Sequence, residues 1–267
     1  CLHSIGAPLA PGQEDSKWFP QTTLERAIEK FSSRVRPKNN GTEPTPEALL
    51  EHFRIVVYEG LRGSANSPGD NSHERSMSVP ELEDGLLRRF KRQCHHYLIN
   101  TPEPDNLLEW FALMRHHGVP TRLLDWTYSF FVAVYFALVD AKGECAVWAI
   151  DSDWVNGTVK RILADARAEH VWNCFKQDRN IRHSSTFKTL FRMPNPIPLV
   201  YIVNPYKLNQ RLVVQQGVFL GPSDISIPFV DNLAALWPDA QGEPDGHLVK
   251  YEIDVDKAER VRILQNL

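Results

Sequence analysis

Several polar side chains stand inside an otherwise apolar stretch near the middle of the chain, and their types suit the binding of a phosphate or a sugar. Residues 121–129 carry Arg122, Asp125, Thr127 and Ser129 among Leu and Trp side chains. Polar groups in apolar surroundings cost free energy unless they are paired or used. A guanidinium can donate two parallel hydrogen bonds to a phosphate, and Ser129 precedes an uncharged run that predicts a helix, whose N-terminus attracts anions. The first place to look for function is therefore this stretch.

Two interpretations of this stretch stay open on sequence grounds. In one, Arg122 and Asp125 form a structural ion pair that fixes the turn, since buried charges are usually paired. In the other, Thr127 and Ser129 present their hydroxyl groups to a ligand, with Asp125 as the nearby carboxylate. Strand-like alternation would place Arg122 on one side and Asp125 with Thr127 on the other.

Arg62 and Gln215 are two further candidates, one on either side of this stretch in the chain. Arg62 follows a predicted strand at residues 54–61 and stands before Gly63, and glycine lets a ligand approach the backbone closely. Arg62 could equally pair with a structural carboxylate. Gln215 lies in a second predicted strand, residues 211–220, where alternation puts it on one face with Gly217. It could contact a ligand over a cleft or simply face water on an edge strand.

The paired histidines do not have the spacing of a metal site. Adjacent helical side chains point about 100° apart, so His116 with His117, or His95 with His96, cannot chelate one ion through both rings without distortion. No Cys-x-x-Cys or His-x-x-x-His supplies an alternative ligand set. We expect no metal, and we assign His117 either to the turn at Gly118 or to a ligand as a switchable donor.

The central stretch resembles the signature of the FRG domain family. The family carries His-x-Gly-x-Pro-Thr-Arg-Leu-Leu-Asp-Trp-Thr, and this chain reads HHGVPTRLLDWTYSFFVAVYFA from His116. The family's upstream Phe-Arg-Gly element is similar to Leu61-Arg62-Gly63. A third element, Arg-Ile-x-x-Gln-x-Gly-x-Phe, is similar to residues 211–219.

The order of these elements is also similar to that of ADP-ribosyltransferases. Those enzymes hold NAD with a strand Arg or His and a Ser-Thr-Ser segment, and they use a late Glu. Gln215 stands where that Glu would be, and a neutral amide cannot act as a base, so Asp125 would have to serve instead. The resemblance implies a catalytic set of Arg62, Asp125 and Gln215. It implies an NAD-binding set of Arg62, Gly63, His117, Thr121, Arg122, Thr127, Ser129 and Gln215.

The resemblances imply an NAD-binding domain that breaks the nicotinamide–ribose bond by transfer or hydrolysis, with a protein target as a further partner and a toxin or phage-defence role. The alternative is a non-catalytic module that binds a nucleotide or a protein. The sequence contains no nucleophile elbow, no P-loop and no Gly-x-Gly-x-x-Gly, which argues against hydrolase, triphosphatase and dehydrogenase functions.

The helix and strand patterns around these candidate residues predict an α+β fold. Helical patterns dominate the first half, among them residues 22–36, 79–90 and 107–117, and strand patterns at residues 145–150, 199–203, 211–220 and 248–254 dominate the second. We expect a mixed, mainly antiparallel sheet with flanking helices, similar to ADP-ribosyltransferases. The domains are an arm and helix over residues 1–44, with 1–20 irregular, and an FRG-like domain over 45–267. The uncharged residues 130–139 predict a helix buried on most sides.

The composition of the chain limits the cellular compartments and the classes of partner that we expect. The net charge of −3 gives no overall attraction to nucleic acid, and a basic segment between residues 160 and 192 is more typical of a solvated helix face. No apolar run is long enough to span a bilayer. The four scattered cysteines and the absence of a signal-peptide pattern favour a reduced cytoplasm.

Overall fold

A computed structural model describes residues 4–6, 20–32, 78–95, 98, 101–139, 141, 143–166, 171, 173, 184–205, 210–237 and 246–267. The chain divides into two compact units. One unit is Thr22–Arg122, and the other joins Cys1–Gln21 to Leu123–Leu267. The predicted boundary between residues 44 and 45 lies outside the described residues and stays a prediction.

The unit Thr22–Arg122 contains helices that begin and end at the expected signals. They are α1 (Thr23–Ser32), α2 (Val79–Cys94) and α3 (Leu107–His116). A capping box begins α2, because the backbone N–H of Ser78 donates to the Glu81 carboxylate at 2.8 Å. Gly118 has φ of 74°, so the turn after α3 is left-handed.

In the other unit, the described residues include a sheet of six strands. Its strand order is β4-β5-β2-β1-β3-β6, and every neighbouring pair is antiparallel. The α+β fold and the antiparallel sheet are therefore confirmed. The described elements are β1 (Ser4–Gly6), β2 (Leu124–Thr127), α4 (Phe130–Val139), β3 (Cys145–Ile150), α5 (Ser152–Asp165), α6 (Ser184–Phe191), β4 (Val200–Val203), α7 (Gln210–Val214), β5 (Gly217–Pro222), α8 (Phe229–Ala234), β6 (Leu248–Ile253) and α9 (Lys257–Asn266).

The register of β2 decides which of its side chains share a face of the sheet. Thr127 lies opposite Gly217, and Asp125 lies opposite Phe219. Side chains alternate along a strand, so Asp125 and Thr127 point to one face and Trp126 points to the other. The predicted alternation of Asp125 with Thr127 is confirmed.

One core cluster of this unit lies between α4, β3 and α9. Its buried members include Ala133, Val134 and Leu138 on α4 and Cys145 and Val147 on β3. Partly buried side chains of α9 and the end of β6 pack against them. Burying an aliphatic side chain contributes about 1.5–3 kcal/mol, so this cluster holds α4 against the sheet immediately after the polar stretch.

The structure corrects three predictions made from the sequence. Residues 1–20 are not wholly irregular, because β1 pairs with both β2 and β3 near the middle of the sheet. Residues 211–220 are not one strand, because α7 occupies 210–214 and β5 begins only at Gly217. Helix α4 is not buried on most sides, because several of its large side chains are exposed. In the part of the chain that is described, no helix is long and apolar enough to cross a membrane.

Candidate functional site

Arg122 is held by a buried carboxylate on helix α2. Its guanidinium donates to both carboxylate oxygens of Glu83, with Nε 3.0 and 2.9 Å from them, and its backbone N–H donates to the same group at 3.2 Å. The Nη2 atom adds a short contact to Glu83. Both side chains are at least 95% buried, so this is an ion pair removed from water. Arg122 thus has Glu83 as a counter-charge, which the sequence analysis did not name, and the predicted ion pair with Asp125 stays a prediction.

Thr121, which precedes Arg122, forms hydrogen bonds through its backbone with the first turn of α1. Its N–H donates to the Thr23 hydroxyl at 3.1 Å, and its carbonyl accepts from that hydroxyl and from the Leu24 N–H, each at 3.1 Å. Thr121 itself is completely buried. The backbone of Thr121 therefore anchors the N-terminal turn of α1.

Thr127, at the other end, joins two segments that are far apart in the sequence. Its hydroxyl donates to the backbone carbonyl of Gln215 at 2.6 Å and accepts from the Ser129 N–H at 3.0 Å. A hydroxyl has one proton and two lone pairs, so one lone pair of Thr127 remains beyond these two bonds. The Tyr128 N–H donates to the Gln216 carbonyl at 3.0 Å and strengthens the same connection. We call this connection the Thr127–Gln215 junction.

Gln215 does not occupy the strand position predicted for it. It lies in the turn between α7 and β5, and Gln216 beside it has φ of 48°, a conformation that few residues other than glycine adopt. A Cβ added at Gly217 would stand 2.5 Å from a methyl carbon of Leu212, so glycine lets α7 pack closely against β5 there. Gln215 is half-buried, and its backbone carbonyl takes part in the junction.

Ser129 caps helix α4, as the sequence predicted. Its hydroxyl oxygen accepts from the Val132 N–H at 3.4 Å, and its carbonyl accepts from the Ala133 N–H at 3.1 Å. Ser129 is half-buried and lies two residues after Thr127, so the N-terminus of α4 begins beside the junction.

Asp125 is buried on the same face of the sheet as Thr127, with 7% of its surface exposed. One strand repeat separates the two side chains, and the register places Asp125 next to the β5 residues that follow the junction. A carboxylate thus accompanies the two hydroxyl groups and Gln215 within the sheet unit.

His117 belongs to the helical unit and ends α3. Its ring lies 6.0 Å from the ring of Phe90 and 5.0 Å from that of His116. Desolvation beside its neighbours, together with the charge of His116, lowers the pKa of His117 from its ordinary value of 6.5. At neutral pH the ring is therefore uncharged and can both donate and accept a hydrogen bond. Its predicted contact with a ligand stays a prediction.

A family model, described as the FRG domain, matches residues 11–145 of this chain. The chain belongs to the FRG domain family. The matched region contains the upstream Leu61-Arg62-Gly63 element and the whole central stretch, but it ends before residues 211–219. No curated protein and no solved structure matches this FRG domain.

Within the FRG domain the predicted site residues fall into three groups. Asp125, Thr127, Ser129 and Gln215 come together in the sheet unit. The helical unit contains three others, His117, Thr121 and Arg122. Arg62 and Gly63 lie outside the described residues, so their positions stay predictions.

Glu83 was missed by reasoning from the sequence, although α2 carried a signal. Its buried stripe consists of apolar positions such as Leu82, Leu86 and Phe90, and Glu83 falls on the same stripe. An acidic residue on the buried face of an amphipathic helix predicts a buried cationic partner. That partner is Arg122 of the FRG signature.

Proposed function

We propose that this FRG domain binds NAD at the Thr127–Gln215 junction and breaks the bond between nicotinamide and ribose. The observation that carries the proposal is the hydrogen bond from the Thr127 hydroxyl to the Gln215 carbonyl. It connects two segments, 88 residues apart, that the resemblance to ADP-ribosyltransferases assigns to one NAD site. Asp125 adds a buried carboxylate on the same face of the sheet.

Each residue of the junction has a role that its chemistry allows. In our proposal the N-terminus of α4, with Ser129 as its cap, attracts the negative charge of the dinucleotide. The remaining lone pair of Thr127 and the side-chain amide of Gln215 hydrogen-bond to ribose hydroxyls. Arg62 binds the pyrophosphate through its guanidinium, as the resemblance implies.

Asp125 is the carboxylate that we propose for the chemical step, because position 215 is a neutral amide. The ribose–nitrogen bond breaks with its electron pair leaving on nicotinamide, and positive charge develops on the ribose. A carboxylate close to the ribose stabilises that charge, and it can accept the proton of the attacking water or acceptor hydroxyl. Glu83 supplies a counter-charge to Arg122.

The experiment is to incubate the protein with NAD and to measure released nicotinamide by chromatography. We expect release by the wild-type chain and a loss of about a hundredfold or more in Asp125→Asn, the usual contribution of a positioned base. Arg62→Ala should raise the NAD concentration needed for half-maximal release. Asp153→Asn is the matched control, because that exposed aspartate lies on α5, outside the junction, and should leave release unchanged.

A second candidate, a module that binds a nucleotide without turnover, is favoured by the same neutral Gln215. The Thr127 hydroxyl also already holds the protein's own backbone, which suits a rigid binding site. Calorimetry separates the two functions. Heat of NAD binding that depends on Arg62 and Gln215, without nicotinamide release, would support the module and reject the enzyme.

A further inference from the structure

Helix α4 presents an apolar surface on the side opposite its core contacts. Ala133, Val134 and Leu138 face the sheet, whereas a row of large side chains faces outward. The exposed fractions are 44% for Phe130, 66% for Phe131, 43% for Tyr135, 40% for Val139 and 43% for Tyr251 on β6. The rings of Phe130 and Tyr251 lie 6.5 Å apart, and those of Phe130 and Phe131 lie 6.1 Å apart, so this surface is continuous. We call these five residues the α4 face.

The exposed apolar area of the α4 face is comparable to the apolar core that one partner contributes to an interface. A fully exposed aromatic side chain presents about 150–250 Å², so the five residues together offer about 400 Å² at their exposed fractions. The largest apolar patch of a typical monomer covers about 300–600 Å² and often serves an interaction. One partner in a standard interface contributes about 800 Å², and about 65% of a homodimer interface is apolar. The α4 face therefore supplies roughly half of what one subunit of a stable dimer needs.

The charge of the α4 face favours a second copy of the chain as its occupant. A two-fold contact brings the same residues of both copies together, so a surface with net charge would repel itself. Residues 130–139 contain no charged side chain. Lys250 and Glu252 flank Tyr251 on β6, so strand alternation directs them to the other face of the sheet, where the Lys250 ammonium donates to Glu252 at 2.8 Å. Nothing in this surface opposes its pairing with itself.

The spacing of the exposed side chains also fits helix–helix packing. Phe131, Tyr135 and Val139 follow one another at intervals of four residues and form one ridge along α4. Ridges of this kind from two helices interdigitate at a crossing angle of about −50°. Tyr135 is the middle residue of the ridge and would lie closest to the two-fold axis.

We propose that two copies of this chain associate through their α4 faces, with α4 packed against α4 of the second copy. The proposal does not depend on the proposed NAD site. It assigns a role to exposed aromatic residues that the junction does not use, and it predicts that Tyr135 meets Tyr135 of the second copy.

The test is sedimentation of the purified chain over about 1 to 100 µM, the range in which a micromolar dimer dissociates. We expect a dimer in the wild-type chain and monomers in Tyr135→Glu and Tyr135→Lys, each with dissociation constants raised about thirtyfold or more, the effect of losing a hot spot. Mixing the two variants should restore a dimer, because opposite charges then meet at the axis. An unfolded variant could not be rescued in this way.

Val214→Glu is the control, because Val214 on α7 is 72% exposed but lies outside the α4 face. It should leave the dimer unchanged. Each of four results would overturn the proposal. They are a wild-type chain that stays monomeric, a dimer that survives Tyr135→Glu, a mixture of the charged variants that stays monomeric, and a dimer that only Val214→Glu disrupts.

Discussion

The two ends of the FRG signature carry similar polar groups but do different things with them. At one end, Thr121 and Arg122 are buried and bind α1 and α2 of the helical unit. At the other end, Thr127 and Ser129 connect β2 to the α7–β5 turn and to the start of α4, where Ser129 and Gln215 are only half-buried. A conspicuous charged residue in a signature can thus be framework, whereas a ligand can reach polar groups only where they are partly exposed, as Ser129 and Gln215 are.

The largest expected effect comes from removing the counter-charge of Arg122. Glu83→Gln keeps the shape of the side chain but removes the negative charge that the buried guanidinium contacts, which costs about 3–5 kcal/mol. Chemical denaturation measures the free energy of unfolding. Asp84→Asn, the next residue of α2 and only half-buried, is the control and should cost about 1 kcal/mol or less.

A double-mutant cycle sharpens this first prediction. Arg122→Ala should destabilise the chain by a similar amount, and the double variant should lose less than the sum of the two single changes, with a coupling of about 0.5–3 kcal/mol. If the losses of unfolding free energy are additive, Glu83 and Arg122 act independently. That result would contradict the structural role that we assign to the Glu83–Arg122 pair.

A smaller loss of unfolding free energy is expected from changes at the Thr127–Gln215 junction. Thr127→Val removes both hydrogen bonds of the hydroxyl and leaves the Gln215 carbonyl and the Ser129 N–H without that partner, at a cost of about 1–3 kcal/mol. Thr127→Ser keeps the hydroxyl and should stay within about 1 kcal/mol of the wild type. Thermal melts of the two variants check this, and equal losses would show that packing of the methyl group, rather than the hydroxyl, holds the junction.

Much of the fold could be predicted because its signals are local. Helices α2 and α3, the turn at Gly118 and the apolar strand β3 each depend on a few neighbouring residues. Strand β1 could not be predicted, because three residues carry no usable periodicity and depend on β2 and β3 for every hydrogen bond to the sheet.

The site was only partly predictable, for three physical reasons. The apolar pattern of residues 211–220 does not reveal that Gln216 turns the chain with a positive φ. The pairing of Glu83 with Arg122 joins residues 39 apart, and no local pattern encodes that distance. The uncharged composition of α4 indicates apolar side chains but not whether the fold covers them, and Phe131 is left exposed.

The smallest effects concern two buried cysteines, Cys94 of the helical unit and Cys145 of the sheet unit. Burial raises the pKa of Cys94 on α2 and of Cys145 on β3 from their ordinary value, so little reactive thiolate exists at neutral pH. Both thiols should react slowly with iodoacetamide in the native chain, and the rate should keep rising with pH where an exposed thiol levels off. In Glu83→Gln, Cys94 should be labelled faster than Cys145, by about tenfold, because opening begins in the helical unit. Mass spectrometry of peptides separates the sites, and equal acceleration would mean that the two units open together.

The proposed chemical step depends most directly on Asp125, and one sample of Asp125→Asn tests it. Nicotinamide release and thermal unfolding are measured on that sample beside the wild-type chain. We predict that release falls about a hundredfold or more while the melting temperature changes by no more than about 4 °C. Three results would contradict the catalytic role of Asp125. They are a wild-type chain that releases no nicotinamide, a variant that releases it at the wild-type rate, and a variant whose melting temperature falls by much more than that.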